Sequence, residues 1–346
     1  MVAVLCVALL VASCSHDSSG GHAIRAGDTP QSSGPGSTSA YPSYRERVSP
    51  EVRRALDYSA NLRKIDPCTL VDLNAAARVG RIKYVGTDNN LRDCLIEFDV
   101  PKKSGSGEDN VPGLPQSMTV GTRAQDDGSG ARLTPDDGMC HGWVATGQQR
   151  RFGAELLGYS LVMSGGFGSA GSPRSGCEEL GPVVDASRSL ISRPGERSVS
   201  RKLPQTKLAR LDPCDALDVV TSGKQVEVIS AESPYECDYR NAEDYSNESR
   251  FDISFWYSKL AQTPHPADLD PKYTKIRGVQ STVEERRYLC TVESYVGLDN
   301  PAVGRDDTSV LPQWVDLIKV TGRPEPGCKS VVLVATEAVR QYQEAS

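Results

Sequence analysis

The sequence predicts an α+β protein of two similar tandem domains, each an opening helix, a mainly antiparallel sheet and a closing helix, with two disulfides per domain. Three observations carry that expectation. Asp66-Pro67-Cys68 returns as Asp212-Pro213-Cys214. Each copy is followed by three further cysteines at matching distances, with gaps of about 26, 46 and 37 residues in the first set and about 23, 53 and 38 in the second. Between the cysteines lie short runs of apolar and β-branched residues punctuated by Gly, Pro and Asn, a pattern of strands and turns. A chain of 346 residues has room for two cores, since one core serves about 100 to 200 residues. Two copies of this size make paired globular domains and not a solenoid.

The N-terminal segment differs in character. Residues 1–13 form an apolar run that is too short to span a bilayer and has the length of a signal-peptide core. Val11-Ala12-Ser13-Cys14 sets small residues before a cysteine, as in the lipobox of bacterial lipoproteins. Residues 1–13 are therefore read as a lipoprotein signal peptide and Cys14 as the site of lipid attachment. No Lys or Arg precedes the apolar run, where a positive segment is usual, so a translation start upstream of Met1 is expected. Residues 14–48 are dominated by Ser, Gly, Pro and Thr and read as a disordered tether. Beyond it no apolar run reaches the roughly 18 residues of a membrane span. The net charge of -6 gives no basic field for nucleic acid.

The first domain is expected over 49–191. Ser49 caps a helix, Pro50 suits its first turn and Glu51 meets its positive end; Val52, Leu56 and Leu62 are expected to face this domain. Asp66 then caps a helix that begins at Pro67, places Leu70, Leu73 and Ala77 on one face and stops at Gly80. Strands are expected at 81–85, 94–100, 117–123, 139–146 and 156–163. A closing helix opens at Gly176-Cys177 and runs to about Ile191, with Val183, Val184, Leu190 and Ile191 as its apolar side. Residues 192–207 carry Arg193, Arg197, Arg201, Lys202 and Lys207 against Glu196 alone. They read as a solvated, charge-extended linker in preference to a site for anionic lipid or wall polymers. The second domain, 208–346, restarts with Asp212 as cap, Pro213 in the first turn and Gly223 as stop. Strands follow at 226–229, 236–240, 250–257, 288–296 and 315–321, and Gly327-Cys328 opens the closing helix.

Once Cys6 leaves with the signal and Cys14 takes a lipid, eight cysteines remain: Cys68, Cys94, Cys140, Cys177, Cys214, Cys237, Cys290 and Cys328. An even set outside the cytoplasm points to disulfides. Four per domain permit three pairings. The preferred one joins Cys68 to Cys94, Cys140 to Cys177, Cys214 to Cys237 and Cys290 to Cys328, which pins the opening helix to a strand hairpin and a central strand to the closing helix. Reactive thiolates at Cys68 and Cys214, both at helix starts, are the alternative; the matched sets of four favour bridges.

Other motifs carry less. No C-x-x-C pair is present, which argues against zinc, and no metal or cofactor is expected. His16 and His22 lie in the tether, while His141 and His265 have no counterpart in the other copy, so no catalytic residue is assigned. Gly166-Phe167-Gly168-Ser169-Ala170-Gly171 matches G-x-G-x-x-G, but Ser172-Pro173 stands where a nucleotide-binding helix should run. Asp126-Asp127-Gly128, Asp136-Asp137-Gly138 and Asp306-Asp307 read as turns, because a distal calcium-binding Glu is missing. In 250–257, Phe251, Ile253, Phe255 and Tyr257 share the core side, and Trp256 faces the other way, read as packing before groove lining.

With the lipobox and tether, an Asp-Pro-Cys that opens a helix and is answered by a later strand cysteine resembles the actinobacterial, mycobacterial-type lipoprotein family of unknown function that carries the D-P-C motif. Here it is present in two copies covering most of the chain after Cys14. The resemblance implies attachment to the extracytoplasmic face of the cell membrane and supplies no catalytic residues. The expected function is that of a lipid-anchored, non-enzymatic envelope protein. Its partners are the membrane, through the lipid on Cys14, and a protein, glycan or lipid of the envelope, in an accessory or sensor role. The alternative is a hydrolase or transferase acting on envelope polymers.

Overall fold

Alternating apolar residues over short runs build two antiparallel sheets. The computed structural model describes residues 42–101, 114–125, 133–136, 139–150, 153–163, 176–221, 224–230, 233–242, 250–263, 273–303, 313–323 and 328–345, and the statements below concern these. The N-terminal sheet contains β1 (Ile82–Gly86), β2 (Asp93–Phe98), β3 (Pro115–Gln125), β4 (Leu133–Asp136), β5 (Met139–Arg150) and β6 (Gly153–Met163), ordered β1-β2-β3-β6-β5-β4. The C-terminal sheet contains β7 (Val226–Ser230), β8 (Glu236–Asn241), β9 (Arg250–Lys259), β10 (Tyr273–Ile276), β11 (Val279–Arg286), β12 (Leu289–Tyr295), β13 (Ala302–Val303) and β14 (Gln313–Gly322). Its path is β7-β8-β9-β14-β12-β11-β10, with β13 on β14. The first six strands of that path repeat the N-terminal order, and β10 is an addition at the edge.

The repeat extends to register. Cys94 lies opposite Val120 and Cys140 opposite Leu161 in one sheet; Cys237 lies opposite Ile253 and Cys290 opposite Gly322 in the other. Because side chains alternate along a strand, equal register puts equal positions on equal faces. The four disulfides are Cys68–Cys94, Cys140–Cys177, Cys214–Cys237 and Cys290–Cys328, the preferred pairing. By restricting the unfolded chain, each contributes about 3 to 4 kcal/mol.

A closing helix covers the inner face of each sheet. Helix α4 (Cys177–Ser187) buries Leu180, Val183 and Val184, and α6 (Lys329–Glu344) buries Val331, Val334, Ala335, Ala338 and Val339. Each helix packs close to a strand glycine. A Cβ on Gly142 would lie 2.8 Å from Val184 Cγ2, and one on Gly322 would lie 3.0 Å from Val331 Cγ2. Helix α4 ends earlier than the sequence implies, at Ser187, and a 3-10 turn carries Arg188–Leu190.

Three expectations need correction. Asp66-Pro67-Cys68 opens a 3-10 turn, Pro67–Leu70, and α3 (Leu73–Val79) is a separate helix with its own cap, Asp72. Ala75 and Ala76 are its buried side while Leu73 is half-buried and Ala77 exposed. Gly80 follows in extended backbone, and its small size matters because a Cβ there would lie 3.0 Å from the Phe98 ring. Second, residues 44–48, expected within the disordered tether, are ordered, with α1 (Tyr44–Arg47) a helix and Tyr44 and Val48 buried. Helix α2 (Pro50–Leu62) does not turn Val52 and Leu56 to the first copy. Tyr44, Val48, Val52 and Leu56 join the apolar cluster of the C-terminal sheet, with Ile253, Phe255, Ile318 and Val331. Third, 192–207 is not simply a solvated spacer: Arg197 is 5 % exposed and Leu203 is fully buried in the N-terminal cluster. Both apolar clusters belong to one compact unit.

Candidate functional site

The two Asp-Pro-Cys turns share one local mechanism. Asp66 Oδ1 accepts from Cys68 N at 2.8 Å, and Asp212 Oδ1 accepts from Cys214 N at 3.0 Å. Proline then fits the first helical position, where no amide donor is needed. The second turn does more. Asp212 Oδ2 accepts from Arg45 Nη2 at 2.7 Å and Arg63 Nη2 at 2.8 Å, so the same carboxylate caps the turn and holds the ends of the N-terminal helical segment. The short helix α5 (Leu217–Val220) follows directly, and Asp218 receives the Tyr44 amide. Between these two aspartates, burial first and the Asp212 carboxylate second push Asp215 up to about 7, against the pull of Arg45 and Arg63.

The outward face of the C-terminal sheet groups carboxyls of β8 and β9. Along β9 the core takes Ile253, Phe255 and Tyr257, so Asp252, Ser254 and Trp256 point the other way. Register sets Asp238 of β8 opposite Asp252 and Glu236 opposite Ser254. Arg250 grips Asp238 with Nε at 2.9 Å from Oδ1 and Nη2 on Oδ2. Asp252 has no such clamp: burial, then the neighbouring Glu236 and Asp238, push its carboxyl up to about 6, while a hydrogen bond from Ser254 and the charge of Arg250 pull it back. Trp256 is half-buried with its indole N–H enclosed and unpartnered, and it bridges to Asn90 of the β1–β2 turn. The backbone of Trp256 thus lies beside the other half of the molecule, on the face away from the closing helix.

The equivalent row of the N-terminal sheet has different chemistry. Leu95, Thr119, Ser160 and His141 occupy the positions of Asp238, Asp252, Thr321 and Thr291. His141 Nδ1 lies 2.9 Å from Ser160 Oγ, and its ring stacks on Trp143 at a centroid distance of 6.3 Å. The repeat preserves the scaffold and exchanges the outward groups.

Where the halves meet, Arg197 is the hub. Its Nη1 donates to Leu91 O at 2.7 Å, its Nη2 approaches Tyr257 Oη at 3.4 Å, and its guanidinium lies over the Tyr235 ring at 5.5 Å. Its backbone N–H donates to Lys64 O, and Gly195 O accepts from Asp66 N. A small cavity at this junction is lined by Leu62, Ile65, Pro67, Leu91, Arg197 and Tyr235.

The eight sequence-predicted bridge cysteines are brought together in their pairs. Cys14, His16, His22, His265, Gly223, Gly327, Gly166–Gly171, Asp126–Gly128, Asp137-Gly138 and Asp306-Asp307 lie outside the described residues. Asp136 closes β4, paired with Met139. The outward Asp252 was legible in the alternation of β9, and its neighbours Glu236 and Asp238 were not, because strand pairing sets them. Among the described residues no group of three His, Cys, Asp or Glu side chains is arranged to hold a metal ion, and no helix is long and apolar enough to cross a membrane.

The raised carboxyls have a measurable consequence. Asp215 at about 7, with Asp252 and Asp316 at about 6, binds its proton more tightly in the folded chain than in the unfolded one. Stability from these groups is therefore present below the unfolded carboxylate range and is lost as pH rises through 6 to 7. Asp215→Asn is expected to stabilise the protein by about 2 kcal/mol at pH 8, since each tenfold gain in proton affinity on folding corresponds to about 1.4 kcal/mol, and to have no effect near pH 4. Urea unfolding of both proteins across this range checks it; a gain that does not shrink on acidification contradicts the assignment.

These features define a mixed α+β protein with two antiparallel sheets, six and eight strands, cross-linked by four disulfides. No known family model, no curated protein and no solved structure matches the chain.

Proposed function

We propose that this is a lipid-anchored envelope protein of the actinobacterial D-P-C lipoprotein type, built as two tandem domains. Cys14 would carry the lipid, and the folded part would bind a protein, glycan or lipid on the extracytoplasmic side of the cell membrane. Four disulfides support an oxidising compartment. The observation that carries the binding role is the outward face of β8 and β9, where the half-exposed carboxyls of Glu236 and Asp252 stand on the same face as the half-buried Trp256 ring, with the buried Ser254 hydrogen-bonded to Asp252. A half-exposed face of this kind is suited to ligand contact, whereas structure alone asks only for solvated charges there.

The test has two parts. Intact mass and labelling with a palmitate analogue should show acylation that Cys14→Ala abolishes; an unmodified Cys14 in envelope fractions would remove the anchor. Solubilised envelope proteins, glycans and lipids should each be offered to the full chain, with binding of one fraction reduced at least about tenfold by Asp252→Ala with Trp256→Ala. Equal retention by the variant would sink the assigned face.

Asp252 also favours the second reading, a hydrolase acting on envelope polymers, because a carboxyl near pH 6 beside Glu236 is poised for acid–base work. Release of soluble fragments from purified envelope polymer, lost in Asp252→Asn, would establish it; no release would exclude it.

A further inference from the structure

Residues 42–62 are explained by neither the repeat nor the proposed ligand face. They precede the first Asp-Pro-Cys turn in the chain, yet Tyr44, Val48, Val52 and Leu56 pack into the apolar cluster of the C-terminal sheet. Their polar contacts go to the same place. Arg45 and Arg63 share Asp212, the Tyr44 amide meets Asp218, and Arg63 Nη1 donates to Pro234 O at 2.8 Å.

Arg47 makes the attachment firm where the segment begins. It is 8 % exposed, and its Nη1 donates to Thr221 Oγ1 at 2.7 Å and Lys224 O at 2.6 Å, while Nε donates to Pro42 O at 3.0 Å. The chain entering at Pro42 is thus fixed against α5 and the start of β7, both in the C-terminal half. At the segment's far end Leu62 lines the junction cavity with Pro67 and Leu91, and the backbone ties to the N-terminal half through residues 195–197 come just after it, at Lys64, Ile65 and Asp66.

We propose that residues 42–62 and 208–345 form one cooperative unit, a C-terminal domain completed by an N-terminal strap, into which the N-terminal sheet is inserted. Two copies in sequence are then not two beads in space. The strap supplies a helical layer that the second copy does not encode for itself, and the second Asp-Pro-Cys turn is its receptor. A pull on the chain before Pro42 bears on Arg47 and the C-terminal domain first. The last consequence rests on the proposed anchor at Cys14; the cooperative unit does not.

Amide hydrogen exchange on the full chain, read by mass spectrometry, tests the assignment, because a segment opens with the unit it belongs to. Val331→Ala weakens the C-terminal cluster and Leu161→Ala the N-terminal one. Val331→Ala is expected to speed exchange in 44–62 at least about tenfold, by the same factor as in β9 and β14. Leu161→Ala should speed β3, β5 and β6 and leave 44–62 within about twofold. Acceleration of 44–62 by Leu161→Ala, or by both variants equally, or by neither, overturns the proposal. If Leu161→Ala does not fold, Ile96→Val with Val334→Ala is the milder pair read in the same way. The experiment needs no membrane, so its failure is distinct from failure of the anchor.

Discussion

A fragment of residues 205–346 is expected to show no cooperative unfolding alone and to regain it when residues 42–62 are fused to its N-terminus. The reason is burial. The fragment lacks Tyr44, Val48, Val52 and Leu56, which are 1 %, 6 %, 7 % and 2 % exposed in the whole chain. At about 1.5 to 3 kcal/mol for each buried apolar side chain, their loss removes roughly 6 to 12 kcal/mol. A domain's total stability is only about 5 to 15 kcal/mol. The loss also leaves Asp212, 8 % exposed, without Arg45 and Arg63. Removing the partners of a buried charge adds to the penalty, because the carboxylate keeps its desolvation cost. Urea unfolding followed by circular dichroism checks this; a sharp transition in the bare fragment would show that the second copy is self-sufficient.

Arg197→Ala is expected to destabilise the full chain by about 3 kcal/mol, with Arg197→Lys recovering less than half. The guanidinium joins a carbonyl from the N-terminal half, Leu91 O, to the Tyr235 ring and Tyr257 hydroxyl of the C-terminal half. Alanine leaves that carbonyl unpaired, opens a void beside the junction cavity and ends the stacking. Lysine keeps a charge but not the planar fork that reaches two groups at once. The denaturant midpoint measures the effect. A shift no larger than that of an exposed arginine such as Arg323 would mean that the halves are held without this hub.

Much of the scaffold was legible in the sequence for local reasons. Asp before Pro before Cys specifies a capped turn through contacts within three residues, and both copies form it. Alternation along 250–257 separated Ile253 and Phe255 from Asp252 and Trp256, as the outward face confirms. Matched cysteine spacing led to the four pairings because each bridge joins elements adjacent in the repeat. The hairpin of β10 and β11 carries no such signal. Its turn uses Arg277 at φ 51° and Gly278 at φ 84°, a tight pair with both residues left-handed that is more often written with Asn or Asp before Gly.

What the sequence determined by itself is therefore local and repetitive: two capped turns, strand faces and eight cysteines set out for four bridges. Only tertiary structure decided where α1 and α2 belong, why Arg197 is buried within a basic segment, and which carboxyls crowd Asp252 and Asp215. The amphipathic stripe of Val52 and Leu56 states that a helix has an apolar side, with nothing to say which of two similar cores receives it. That choice is made by shape and by Asp212, whose second oxygen meets Arg45 and Arg63 across more than a hundred intervening residues, a distance over which periodicity carries no information.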